Sequence, residues 1–163
     1  MKKLLRKAAT FAACGFGLGW SPVAPGTVGS LLGCLIVWGF TAAKLSVPAQ
    51  IAACAAMTVL SVPLAGIAER EIGRKDPGSV VCDEYLTFQI CMIGLLDKWQ
   101  SRVWLMPVCF AVARVLDIWK PQPARRLQAL PGGLGITIDD FVTTCEALAA
   151  DWALYLAAVR LGF

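Results

Sequence analysis

The sequence contains no histidine, and only 16% of its 163 residues are charged. The lack of histidine excludes zinc sites with His ligands, Ser-His-Asp triads and reactions that pass through a phosphohistidine. Any metal would instead be bound by oxygen ligands, which favours magnesium or a similar hard cation. The seven cysteines include no Cys-x-x-Cys pair and lie mostly in apolar runs, so we interpret them as small buried hydrophobic residues.

Hydrophobic residues make up 58% of the chain, and the mean hydropathy is +0.67, which is too apolar for an ordinary soluble domain. The composition therefore predicts a membrane protein. The net charge of +4 is modest, and the Lys and Arg residues are dispersed instead of forming a stripe with interleaved aromatic residues. This distribution argues against a nucleic-acid partner and favours contact with anionic lipid.

The apolar runs predict an all-α fold: a polytopic helical membrane bundle with about five apolar helices and an N-terminal amphipathic helix, in one domain spanning residues 1–163. Basic residues at the start of the chain, followed by an apolar stretch to Cys14, resemble a signal peptide that ends at a lipid-attachment cysteine; an amphipathic helix held at the membrane face by its basic end is the other interpretation. The apolar segments, of which the third and fourth are short, are residues 28–43, 45–68, 85–96, 103–113 and 139–160.

Loop charges predict the orientation of the bundle. Lys and Arg are concentrated at the N-terminus and in residues 69–84 and 114–126, and are scarcer near Lys44 and in residues 97–102. By the positive-inside rule, five spans with the N-terminus in the cytoplasm satisfy this distribution. The same topology places four polar motifs at the cytoplasmic face, in residues 22–30, 76–84, 114–120 and 132–140.

The polar residues converge on residues 131–146, where a glycine-rich turn is predicted to lead into a helix that opens with Asp139 and Asp140. Carboxylates complement the positive end of a helix dipole, but capping needs only one of them. Glu146 lies almost two helical turns beyond Asp139, and Asp151 shares a helix face with Asp140 in the same way. Carboxylates repeated along an apolar helix are costly, so they indicate a cation, an ion partner or a proton path.

Two other segments carry charges that suit a cation and an anion. A second acidic pair, Asp83 and Glu84, follows a Pro-Gly turn. Arg114 and Asp117 are one turn apart on a predicted helix, and Lys120 comes just before the proline that stops it. A local Arg–Asp ion pair is the alternative interpretation of this spacing.

A further segment, residues 15–33, is rich in glycine and contains two prolines that rule out a regular helix through its first half. Thr27 or Ser30 could cap the helix that follows, whose free backbone N–H groups would form an anion site. The segment lacks the Gly-Lys-Ser/Thr sequence of a Walker loop, and a plain loop is the alternative interpretation.

Together these features predict a site for phosphate and Mg2+. The carboxylates would hold the cation, the cation would neutralise phosphate oxygens and activate water, and Arg114 and Lys120 would bind the anion. No cysteine has an arginine six residues later, as a phosphocysteine mechanism requires, and no Asp-x-Asp sequence supplies an aspartyl-phosphate nucleophile. Direct attack by metal-bound water is the hydrolytic route that remains.

Four ordered motifs within residues 11–145 resemble the phosphatidylglycerophosphatase A family. They read SPVAPGTVGS at 21–30, DPGSVVCDE at 76–84, RVLDIWKP at 114–121 and GGLGITIDD at 132–140. The resemblance implies a Mg2+-dependent phosphatase of the bacterial inner membrane, which converts phosphatidylglycerophosphate into phosphatidylglycerol, and an all-α bundle. Combined with the loop charges, it predicts a multi-pass protein whose active site faces the cytoplasm.

We assign the candidate residues to three groups. The residues predicted to be catalytic and to bind the metal, one of them also acting as base, are Asp83, Glu84, Asp139 and Asp140. The residues predicted to bind phosphate are Thr27, Gly29, Ser30, Arg114 and Lys120. Secondary candidates, which would bind the metal or orient the side chains of Arg114 and Lys120, are Asp76, Asp117 and Glu146.

The chain departs from the family pattern at two places. Cys82 stands where the family often has a bulky apolar residue, so we expect no catalytic role for Cys82. Thr143 and Thr144, followed by Glu146, replace a small Ala-Gly step that the family usually has in this helix. This second departure leaves another lipid phosphate open as the substrate.

Two other functions are open on the sequence alone. A phosphatase for another lipid or isoprenoid phosphate would use the same residues. A small ion-coupled transporter or channel subunit would use carboxylates near the bilayer midplane, a position that fits only Glu146 and Asp151. The two acidic pairs lie at predicted helix starts on one face of the membrane, which favours the enzyme.

Overall fold

The computed structural model describes residues 1–162, in which helices are joined by short connections and no β-strand occurs. The eight α-helices in this part of the chain are α1 (Lys2–Ala13), α2 (Pro25–Ala42), α3 (Val47–Ile72), α4 (Cys82–Thr87), α5 (Leu96–Ser101), α6 (Leu105–Trp119), α7 (Ala124–Leu127) and α8 (Gly132–Arg160). Two 3₁₀ helices, Gly15–Trp20 and Phe88–Met92, follow α1 and α4. The predicted all-α class is confirmed.

Three helices within residues 1–162, α2, α3 and α8, are long and apolar enough to cross a membrane. They contain 18, 26 and 29 residues. The predicted number of about five apolar spans is not confirmed, because residues 105–113 of the fourth segment lie in α6, which has only 15 residues. Residues 85–96 are divided among shorter elements.

Residues 85–96 do not form the continuous helix that we predicted. After α4 the chain tightens into the second 3₁₀ helix, and Gly94, with a φ of +76°, then turns the backbone. Nearly all side chains in residues 80–92 are buried, so the apolar character of this segment serves the interior of the bundle. An apolar run of this length does not by itself distinguish a buried segment from a membrane span.

The predicted N-terminal amphipathic helix is present as α1. Leu4, Leu5 and Phe11 are exposed on it, whereas Ala13 is buried and α1 packs against α3. Arg6 forms an ion pair with a glutamate near the end of α3, with an N···O distance of 3.4 Å. Exposed apolar and basic side chains on one helix suit a membrane surface.

The last helix begins earlier than predicted, so it does not open with the acidic pair. α8 starts at Gly132, and Asp139 and Asp140 lie about two turns inside it. Glycine is needed here for close packing, because a Cβ atom at Gly133 would overlap the carbonyl oxygen of Val62 in α3. Small residues allow two helix backbones to approach each other in this way. Both carboxylates are buried as a result.

The helix after the Pro/Gly segment also begins earlier than predicted, and Thr27 and Ser30 are not its caps. Pro25 lies in the first turn of α2, after Ala24 with a φ of +45°. Proline is compatible with the first turn, since its missing N–H would have no partner there. Ser30 lies inside α2, where its hydroxyl donates a hydrogen bond to the carbonyl oxygen of Gly26 at 3.0 Å.

Candidate active site

Charged side chains from three helices and a hydroxyl from a fourth meet around one small pocket. Glu84 comes from the first turn of α4, Arg114 and Asp117 from the end of α6, and Asp140 from α8, while Ser30 of α2 adds a hydroxyl. The pocket has a cavity volume of about 10 Å³, about enough for one water molecule, and the rest of its lining consists of Thr87, Phe88, Ala113, Thr143 and Thr144. The structure therefore brings together residues from all four motifs found in the sequence.

Arg114 connects three of these helices. Its Nη2 atom lies 2.9 Å from Oδ2 of Asp117 and 3.8 Å from Oε1 of Glu84. Its Nη1 atom donates a hydrogen bond to the hydroxyl of Ser30 at 3.0 Å. The side chains of Arg114, Asp117 and Glu84 are each only 14% exposed. Removing one partner would thus leave an uncompensated charge in a largely dry site.

Lys120 follows the last turn of α6 and supplies the second cation. Its Nζ atom donates a hydrogen bond to Oδ2 of Asp139 and lies 3.8 Å from Oδ1 of Asp117 and 3.9 Å from Oδ1 of Asp140. Burial alone would lower the pKa of Lys120, but the carboxylates of Asp140, Asp139 and Asp117 raise it above its ordinary value. The ammonium is therefore charged and held among three acids.

Glu84 lies tightly against α2, at a point where two glycines leave room for it. A Cβ atom at Gly26 would overlap the Glu84 carboxylate, and one at Gly29 would lie 2.8 Å from Oε2 of Glu84 and 2.7 Å from Cβ of Val81. Burial raises the pKa of Glu84 to about 8, although the positive charge of Arg114 opposes this shift. Glu84 therefore holds a proton more firmly than an exposed glutamate does.

Asp83 is buried next to Glu84. Burial raises the pKa of Asp83 well above its usual range, and the nearby charges of Glu84, Asp139 and Asp117 add to the effect. The cluster also contains buried carboxylate oxygens that have no hydrogen-bond partner: Asp83 Oδ1, Glu84 Oε2, Asp117 Oδ1 and Asp139 Oδ1. Such unpaired oxygens are costly and indicate a missing positive partner or proton.

No group of three or more acidic or cysteine side chains in residues 1–162, as they are placed, could hold a metal ion. The ammonium of Lys120 lies instead among three of the carboxylates. The metal-binding role of the two acidic pairs, Asp83 with Glu84 and Asp139 with Asp140, therefore stays a prediction.

Several predicted site residues lie away from the pocket. Asp76 is on an exposed loop, where its carboxylate accepts a hydrogen bond from Gln128 at 3.1 Å. Thr27 and Glu146 do not line the pocket, although Oε2 of Glu146 is buried without a hydrogen-bond partner. Gly29 contributes close packing against α4 and is not part of the lining.

Sequence reasoning missed Thr87, which lines the pocket. Its hydroxyl donates a hydrogen bond to the backbone carbonyl of Asp83 at 2.7 Å. Thr143 and Thr144, which we noted only as departures from the family, line the pocket as well. Helical spacing was the available signal, because Thr87 lies four residues after Asp83, and Thr144 lies four after Asp140.

Cys82 is fully buried behind the acidic pair, and its sulfur lies 3.8 Å from the hydroxyl of Ser61. Burial raises the pKa of the Cys82 thiol. A buried, protonated thiol is a poor nucleophile, which agrees with the expectation that Cys82 is not catalytic.

A sequence model of the phosphatidylglycerophosphatase A family matches residues 11–156. Phosphatidylglycerophosphatase A from Escherichia coli (strain K12) is 36% identical over 134 residues, covering 80% of this chain and 73% of the relative. The protein of the same name from Haemophilus influenzae is 33% identical over 144 residues, covering 87% and 85%. A Bacteroides thetaiotaomicron protein named "Putative phosphatidylinositol-3-phosphatase" is 35% identical over 149 residues, covering 89% and 88%. No solved structure matches the chain.

A helical bundle with three candidate membrane spans and a pocket lined by acids and an arginine fits a membrane-associated enzyme. The match to the sequence model identifies the enzyme family within this class. The chain belongs to the phosphatidylglycerophosphatase A family, whose named activity is that of a phosphoric monoester hydrolase. The family predicted from the four motifs is therefore confirmed.

Proposed function

We propose that the protein hydrolyses phosphatidylglycerophosphate to phosphatidylglycerol and phosphate, in a Mg2+-dependent reaction. The observation that carries this proposal is the cluster in which Arg114 and Lys120 meet Glu84, Asp117 and Asp139 beside the pocket. Arginine and lysine suit phosphate, whereas carboxylates suit Mg2+. Membership of the family supports a glycerophospholipid phosphate as the substrate.

Arg114 is the residue best placed to orient the phosphate. Its guanidinium lines the pocket and is already fixed by Ser30 and Asp117. A cation that is oriented before the substrate arrives needs little rearrangement, and it stabilises negative charge that develops on the phosphoryl oxygens. Lys120 adds a second positive charge from the end of the same helix.

The unpaired carboxylate oxygens suit a divalent cation by their chemistry, although no three acidic side chains in residues 1–162 are placed to hold one, so the side chains would have to move together when the ion binds. Asp83, Asp117 and Asp139 each have a buried oxygen without a hydrogen-bond partner, and a set of oxygen ligands suits Mg2+. These three residues, with Asp140, would hold the ion. When bound, Mg2+ would neutralise phosphate oxygens and activate water.

Glu84 is the carboxylate that we assign as the base for the attacking water. It lines the pocket, and its Oε2 atom is buried without a hydrogen-bond partner. Its pKa of about 8, raised mainly by burial, suits a base that works near neutral pH. Gly26 and Gly29 give this carboxylate its position, because any larger residue would displace it.

The bacterial inner membrane, with the pocket at the cytoplasmic face, is the proposed location. Three candidate spans support membrane insertion. The segments that adjoin the pocket, residues 69–84 and 114–126, are rich in Lys and Arg, which are enriched on the cytoplasmic side.

A phosphatase for a different lipid phosphate is the second candidate. The Bacteroides relative, named for another substrate, is about as similar to this chain as the two phosphatidylglycerophosphatase A relatives are. Thr143 and Thr144 form part of the pocket wall that a headgroup would meet. Relative rates of phosphate release from the two lipids would separate the candidates.

Phosphate release from phosphatidylglycerophosphate in detergent micelles, with Mg2+ or with a chelator, tests the proposal. We expect Mg2+-dependent release by the wild type and a loss of about 100-fold or more in Asp83→Asn and Asp139→Asn. Asp97→Asn, which changes an exposed acid outside the pocket, should retain activity. Absence of release by the folded wild type would overturn the substrate, and release that survives both site substitutions would overturn the site.

A further inference from the structure

The two cations of the site are held in different ways. Arg114 contacts a neutral hydroxyl, that of Ser30, as well as carboxylates. The ion pairs and hydrogen bond of the Lys120 ammonium are with carboxylates alone, those of Asp117, Asp139 and Asp140. Lys120 thus engages three of the acids that we assign to the divalent ion.

Lys120 is also the more exposed of the two cations. Its side chain is 23% exposed, compared with 14% for Arg114. A lysine carries a point charge on a flexible four-carbon stem, whereas an arginine is fixed by the fork of its guanidinium. Lys120 lies after the last turn of α6, so its side chain can take another rotamer without crossing a preceding helical turn.

Lys120 does not provide hydrogen bonds to all the buried carboxylate oxygens of the acidic cluster. Asp139 is almost completely buried, and its Oδ1 atom has no hydrogen-bond partner although Oδ2 accepts one from Lys120. The Oδ1 atoms of Asp117 and Asp83 are also buried without a hydrogen-bond partner. A divalent ion among these oxygens would lie a few ångströms from the ammonium, where like charges repel strongly.

We propose that Lys120 is an exchangeable cation. Without a divalent ion, its ammonium neutralises Asp117, Asp139 and Asp140; when the ion binds, the ammonium is displaced and becomes free to bind the substrate phosphate. The inference rests on the proposed function, because it takes a divalent ion to be part of the site. It gives one lysine two successive roles and makes ion binding precede tight binding of phosphate.

Binding of Mn2+, used as the probe for the divalent ion, tests the exchange without measuring activity. The loss of the free-ion paramagnetic resonance signal gives the affinity for protein in detergent micelles. We expect Lys120→Met to bind Mn2+ at least about tenfold more tightly than the wild type, because a competing charge is gone. Lys120→Arg should show no such gain. Lys75→Met, which changes an exposed lysine outside the pocket, should match the wild type.

A second measurement uses only the wild-type protein, so it does not depend on how the variants fold. Labelling of individual lysines with an amine reagent is followed by mass spectrometry. Mn2+ should raise the labelling of Lys120 at least about threefold and leave that of Lys75 unchanged.

Equal Mn2+ affinities of wild type and Lys120→Met, or labelling of Lys120 that Mn2+ does not raise, would overturn the exchange. Phosphate release by the wild type would persist in that case, which separates this failure from failure of the proposed function. Absence of Mn2+ binding to every variant would overturn the exchange together with the divalent-ion requirement. If phosphate release also persists in chelator, the proposed lipid substrate would still be supported.

Discussion

Gly29→Ala tests how the fold positions the catalytic carboxylate. Gly29 lies where α2 faces α4, and an added Cβ atom would lie 2.7 Å from Cβ of Val81 and 2.8 Å from Oε2 of Glu84. Carbon atoms do not pack at such distances, and Cβ of Val81 cannot move without moving the backbone at the start of α4. We therefore expect the substitution to push α2 and α4 apart.

Two opposing effects set the change in stability. Alanine favours a helix over glycine by about 1 kcal/mol, whereas overpacking costs about 1–3 kcal/mol. We expect the free energy of unfolding to fall by about 0–2 kcal/mol. Activity should fall more than stability does. The Glu84 carboxylate, now 3.8 Å from Arg114, would be displaced from its position in the pocket. We expect kcat/KM to fall at least about tenfold.

Gly39→Ala is the matched control, since it makes the same change in the same helix and its Cβ atom would have nothing within 4 Å. Thermal unfolding and phosphate release would be measured for both variants in the same micelles. Gly39→Ala should retain wild-type activity and should raise the free energy of unfolding by about 1 kcal/mol, because only the helix preference of alanine acts there. If Gly29→Ala behaves like Gly39→Ala, the close contact between α2 and Glu84 does not position the site.

Three further predictions concern the same cluster. Arg114→Lys should lower kcat/KM for phosphate release at least about tenfold, because the contacts to Ser30 and to the two carboxylates come from two separate guanidinium nitrogens and lysine has only one nitrogen; wild-type rates would contradict this. Since burial raises the pKa of Glu84 from 4.5 to about 8, the folded protein keeps a proton that the unfolded chain releases at lower pH. In chelator, Glu84 should therefore lower the free energy of unfolding by at most about 5 kcal/mol between about pH 5 and pH 8, and Glu84→Gln should make the pH slope in thermal unfolding shallower by that contribution; an equal slope in the variant would refute the assignment. Cys82→Ala should keep most of its activity, because its thiol is buried and protonated; an inactive but folded variant would show otherwise.

The sequence was most informative about the chemistry of the site. Charged residues are costly in so apolar a chain, so the few that occur in clusters pointed to the pocket. Asp83 and Glu84 lie in the first turn of a helix, as predicted, and Arg114 and Asp117 form the ion pair that the sequence analysis gave as the alternative interpretation of their spacing. The spacing did not reveal Thr87, because a threonine one turn from an acid is common in helices that have no site.

Sequence reasoning was less successful where backbone packing decides the outcome. The glycines before Asp139 were interpreted as a turn, because glycine is common in turns. In the structure they begin α8 and pack against α3, where Gly133 leaves no room for a Cβ atom. A close approach between two helices is invisible in the sequence of either one.

The amino-acid sequence by itself determined the all-α class, the amphipathic N-terminal helix and the family, because each depends on composition or on motifs within single segments. Only the tertiary structure decided which apolar runs are buried and which are long enough to span a membrane. It also decided that Lys120 contacts Asp139, since these residues are 19 positions apart on different helices. Their contact depends on where α8 packs relative to the end of α6, and that placement results from the packing of the whole bundle.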